Sequence, residues 1–201
     1  MSDRMDSRAP LTSRPEGASA RILDVLATLG RRWPTWLALA LVALNLGEGG
    51  SDDEVRILSL FLLFLPFEYL VMAAVGRRRA SWIVAVVGTA TMFVLLTMGV
   101  AVPVFVTAAL IILVWGAVRG RLNRPDTFRV QALGMVGFGA LALAGLAVDP
   151  ALGRYLVAAG WFLHGIWDLV YFRADKVVAR SYAEWCGVVD VLIAAQLIFR
   201  L

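Results

Sequence analysis

The sequence is short of charge, cysteine, lysine and histidine, and each shortage excludes something. Charged residues make up 17% of the 201-residue chain, against about 25% in an ordinary soluble domain. Hydrophobic residues make up 60%, more apolar surface than a soluble domain of this size can hide. The one cysteine, Cys186, excludes an intramolecular disulfide and any CxxC site. The one lysine, Lys176, falls between apolar runs, so no span carries the Schiff-base lysine that a retinal pigment needs. The one histidine, His164, leaves little room for haem ligation. No Gly-rich phosphate loop, HExxH or GxSxG motif occurs. The first twenty residues hold no apolar core before a cleavage site, so no signal peptide is expected.

What is present is long uncharged apolar runs between short charged clusters. That pattern predicts an all-α, polytopic integral membrane protein. Residues 1–20, rich in Ser, Arg, Pro and Asp, are expected to be a disordered cytoplasmic tail. Over 21–32, Ile22, Leu23, Val25, Leu26 and Leu29 share one helical face, which predicts an interfacial amphipathic helix. Residues 33–201 are expected to form a seven-helix transmembrane domain, with spans at 33–47, 56–75, 81–99, 103–118, 129–147, 152–172 and 181–199. The first is short for a span of about 20 residues. Gly99 and Pro103 mark a tight hairpin turn between the third and fourth.

Arginine dominates the basic residues and flanks the runs, so the net charge of +4 reads as an orientation signal and no nucleic-acid partner is expected. Sixteen of the 19 basic residues fall in the tail and in alternate loops, and only Arg56, Arg154 and Arg200 fall on the other side. This asymmetry predicts the N-terminus inside and the C-terminus outside, in the plasma (inner) membrane.

An ionisable residue at the centre of a span costs on the order of 3 kcal/mol on insertion scales. The ionisable residues inside spans are Glu68, His164, Asp168, Glu184 and Asp190, and no Lys or Arg shares their depth. Counting about 1.5 Å per residue from the inner arginines places Glu68, His164 and Asp190 about 14–15 Å deep, near mid-membrane. Asp168 and Glu184 lie shallower, giving an acidic ladder toward the cytoplasmic face. Trp161, His164, Trp167, Asp168 and Tyr171 share one face of the sixth span. On the seventh, Ala183, Cys186, Gly187, Asp190 and Ala194 form a face of small residues suited to close helix approach. On the second, Phe61, Phe64, Glu68 and Met72 share a face, and Pro66 is expected to loosen the helix beside Glu68.

Glu68, His164, Asp168 and Asp190 are therefore the candidate ion or proton relay, with Glu184, Tyr171, Tyr182 and Trp167 secondary. Trp161, Trp167, Trp185, Tyr171 and Tyr182 also read as an aromatic belt at the inner interface. Asn45, Gln131 and Gln196 lie near span ends and carry little weight. His164 and Asp168, one helical turn apart, are the pair to hold a divalent metal, should one be bound. No cofactor is required by any motif.

Three functions fit this pattern. The mechanistic reading is a small transporter or proton- or cation-handling protein using intramembrane carboxylates. A second is a membrane-embedded, metal-dependent enzyme acting on a lipid or apolar substrate. A third is a non-catalytic subunit or assembly factor of a membrane complex, its polar groups serving as interhelical glue. The lipid bilayer is the expected partner in all three, with other membrane subunits in the third.

Overall fold

The computed structural model describes residues 16–44, 51–123 and 127–199. The chain divides into two units, residues 1–33 and 34–201. In the first, α1 (Glu16–Arg31) begins ahead of the expected boundary at residue 21. Residues 1–15 of the expected tail lie outside the described residues. The apolar side chains Ile22, Leu23, Val25, Leu26 and Leu29 are exposed. The Thr28 hydroxyl donates to the Asp24 carbonyl at 2.8 Å and accepts from the Arg31 guanidinium at 3.1 Å.

The remaining helices are α2 (Trp33–Leu44), α3 (Asp52–Val75), a 3-10 turn (Arg78–Ala80), α4 (Ser81–Thr97), α5 (Ala101–Val118), α6 (Thr127–Ala147), α7 (Pro150–Ala174) and α8 (Arg180–Phe199). Among the described residues there is no strand. Six helices, α3 to α8, are long and apolar enough to cross a membrane. The twelve residues of α2 reach about 18 Å at 1.5 Å per residue, against a hydrocarbon core of about 30 Å. Residues 45–47 of the expected first span lie outside the described residues.

Helix ends extend past the apolar runs because polar residues cap them. The Ser51 hydroxyl accepts from the Glu54 amide at 3.1 Å, and Asp52, Asp53 and Glu54 fill the first turn of α3. Negative charge there complements the helix dipole, so the helix starts four residues before the apolar run expected at 56. The Asp149 carboxylate likewise accepts from the Ala151 and Leu152 amides, and Pro150 takes the first position of α7. The hairpin turns at Gly99, whose φ of 70° suits glycine. Pro103 sits inside the first turn of α5, where its missing N–H costs nothing. Pro66 does not end α3, which runs on through it.

α3 is central, packing on α4, α5, α6 and α7, while α7 and α8 form the most extensive pair. α4 and α5 lie at the edge and expose Ile83, Val86, Val87, Leu110, Ile111 and Val114, an outward face suited to lipid. At one end of the bundle Arg78 pairs with the Asp175 carboxylate at 3.3 Å. The Ser81 hydroxyl there accepts from the Ala179 amide, and Trp82 Nε1 donates to the Ser181 hydroxyl, both at 3.0 Å. Arg121 also donates to the Ala73 carbonyl at 3.2 Å. These bonds gather the three arginine-bearing junctions after α3, α5 and α7 at one end. At the other end Gln196 Nε2 donates to Glu54 Oε1 at 2.9 Å.

Candidate functional site: an imidazole between two carboxylates

The site is set by how closely α7 and α8 cross. A Cβ placed on Gly165 would lie 3.2 Å from the Asp190 Cβ and 3.4 Å from the Gly187 carbonyl oxygen. One placed on Gly187 would lie 3.2 Å from the Asp168 Cβ. Small residues at a crossing let two backbones approach. Here that approach puts Asp190 of α8 against His164 and Asp168 of α7.

The resulting cluster excludes solvent. His164, Asp168 and Asp190 are each 0% exposed. His164 Nδ1 lies 2.7 Å from Asp190 Oδ2 and 3.5 Å from Asp168 Oδ2. The Tyr69 hydroxyl of α3 donates to Asp168 Oδ1. Rings close the rest of the space, with Phe138 and Tyr69 edge-on to the imidazole at 5.0 and 5.6 Å between centroids. Among the described residues, His164 Nε2, Asp168 Oδ2 and Asp190 Oδ1 have no hydrogen-bond partner. Arg154, the one buried arginine among the described residues, lies in the early turns of α7 with its guanidinium over the Tyr155 ring. It is ten residues from His164, about 15 Å along the helix.

Glu68 stands on α3, buried, and accepts from the Tyr182 hydroxyl of α8. Its Oε1 has no hydrogen-bond partner among the described residues. Glu184 is not with the others: it is half-buried and accepts from the Thr35 hydroxyl of α2 at 2.7 Å. The expected acidic ladder is thus a cluster of three groups, a fourth group, the Glu68 carboxylate, near it, and a fifth group turned toward α2. Asp168, expected to be shallower, belongs to the cluster because Gly187 leaves room for it.

Among the secondary residues, Tyr171 accepts from Gln131 Nε2, and Trp167 Nε1 donates to Gln131 Oε1 at 3.3 Å. Tyr182 and Trp161 are buried in the core; Trp161 Nε1 donates to the Leu58 carbonyl at 3.1 Å. Tyr69 and Gln131 do not stand out in the sequence. A tyrosine beside Glu68 in a run of Leu and Phe is a signal for the first. Gln131 looks like a span-end residue because α6 starts at Thr127, earlier than its apolar run.

The ligand atoms of His164, Asp168 and Asp190 lie within 4.8 Å of one another, so the set offers one nitrogen and two oxygens to a cation. Two ligands each 2.0–2.1 Å from a tetrahedral metal stand about 3.3 Å apart. The 2.7 Å contact is instead a hydrogen-bond distance, so the arrangement suits a shared proton without rearrangement and a metal only with it. No protein-family model matches the chain, and comparison with curated proteins and with solved structures finds no match.

Proposed function

We propose that the protein is a small membrane transporter that handles a proton or small cation, with His164, Asp168 and Asp190 holding the proton and Glu68 as a further carboxylate. The observation that supports this reading is the imidazole set between two carboxylates, all fully buried, with no arginine or lysine among its contacts in the described residues. Magnitudes favour a site over glue. Each ionisable group costs on the order of 3 kcal/mol at mid-span, while an interhelical hydrogen bond returns about 0.6 kcal/mol. With both carboxylates ionised and the imidazole neutral the cluster carries two negative charges, and two protons make it neutral. Three groups within reach of one another offer a proton more than one resting place, which a relay requires.

The same reading gives seven crossings. Residues 33–47 complete the first, placing the arginine-rich tail inside and the C-terminus outside in the inner membrane. The test is proton flux into proteoliposomes holding an entrapped pH dye, driven by a potassium diffusion potential. The expected result is protein-dependent flux that falls about tenfold or more in both Asp190→Asn and Glu68→Gln. Flux unchanged in both variants overturns the reading.

The three convergent ligand atoms favour a second reading, a metal-dependent enzyme on an apolar substrate. Elemental analysis separates the two: about one divalent metal per chain, lost in His164→Ala, would support the enzyme.

A further inference from the structure

A cavity of about 360 Å³ opens between α2, α3, α4, α7 and α8, within the size range of small-molecule sites. Its wall is mostly apolar and aromatic, with Phe61, Phe64, Phe93 and Trp161 contributing rings. Polar groups interrupt that wall, among them Glu68, Thr89, Tyr182, Trp185 and Asp190. Three buried polar atoms of the wall have no hydrogen-bond partner among the described residues: Glu68 Oε1, Asp190 Oδ1 and Trp185 Nε1. Buried polar atoms are ordinarily satisfied, and an orphan costs about 1–3 kcal/mol. The two carboxylate oxygens on one cavity wall call for a ligand that supplies donors.

The partners required define its chemistry. Two carboxylate oxygens need N–H donors, and two negative groups among ring faces favour positive charge. The apolar remainder of the wall needs an apolar body. Leu41, Ile57 and Phe93 line the cavity and are also exposed on the flank of the bundle, so its mouth faces sideways, where the bilayer would lie. The geometry points to a lipophilic organic ammonium, entering from the membrane, as the ligand of this cavity.

Asp190 joins the cavity to the cluster. Its Oδ1 is the unpartnered atom, and its Oδ2 is 2.7 Å from His164 Nδ1. An ammonium at Oδ1 competes for the carboxylate charge that holds the proton on the imidazole side. One positive charge enters as one leaves, so the exchange balances without any other ion. The coupling rests on the proton-handling reading, whereas the binding site does not.

The experiment is calorimetric titration of the full-length protein in lipid nanodiscs with phenethylammonium, against its neutral counterpart phenethyl alcohol. The expected result is saturable ammonium binding at one site per chain, with the alcohol about tenfold weaker or more. Glu68→Gln, which removes an anion, and Thr89→Leu, which fills the wall from α4, each weaken the ammonium about tenfold. Equal binding of alcohol and ammonium, no saturable binding, or either variant binding like wild type overturns the site. Titrations in buffers of different ionisation heat count the protons released. Release of about one proton per ammonium supports the exchange, whereas ammonium binding with no release upholds the site and overturns only the coupling.

Discussion

At Asp168 the two carboxylate oxygens have different neighbours, and that difference gives the residue its place in the site. Oδ1 accepts from the Tyr69 hydroxyl, and Oδ2 faces His164 Nδ1 at 3.5 Å. Replacing Tyr69 with Phe keeps the ring against His164 and leaves Oδ1 without its donor. The expected cost is about 1–3 kcal/mol, read as a drop of several degrees in the Tm of the detergent-solubilised protein. An unchanged Tm would show that the hydroxyl is not what satisfies Asp168. Which residues take part was legible only in part. His164 and Asp168, four apart in an apolar helix, stand out because an ionisable group there is costly. Asp190 and Glu68 stand out by counting residues from the flanking arginines. Tyr69 and Gln131 do not, because neither is ionisable at neutral pH, and their partners lie 99 and 40 residues away.

The helices themselves were legible because a run of about 20 apolar residues matches the hydrocarbon core in length, and a helix alone satisfies its backbone there within a single segment. Their ends were less so, since caps such as Ser51 and Asp149 draw polar residues into the helix. The face of small residues on α8 was also visible, but its partner glycine, Gly165, was not, because a pairing between helices leaves no local pattern. The element with most at stake is α2. Six crossings would leave both termini on one side, and seven would separate them. Cys186 is buried and is silent to aqueous reagents once replaced by Ser. In that background, Ser7→Cys and Leu201→Cys can be labelled in intact cells with a membrane-impermeant maleimide. Labelling at 201 and not at 7 is the expected outcome. Equal labelling at both would mean that α2 does not cross.

Across the whole molecule, charge is sorted by place. The arginines of the junctions after α3, α5 and α7 gather at one end, joined by the Arg78–Asp175 pair and the Arg121–Ala73 bond. Acidic residues open α3 at the other end. Between them the bundle holds the buried groups and the cavity that shares Asp190 with them. The alternation of basic loops foretold this sorting. The cavity was not foretold, since its wall draws on five helices. The central claim is that the buried cluster exchanges a proton and is not fixed glue. Because His164 is the only histidine in the chain, nitrogen-15 NMR of histidine-labelled protein, carrying a tag without histidine, reports this one imidazole. The predicted result is that its two nitrogen shifts move between protonated and neutral values as pH is varied across the range in which the protein stays folded, and that Asp190→Asn alters the transition. A single tautomer, unchanged across that range and indifferent to Asp190→Asn, would contradict it.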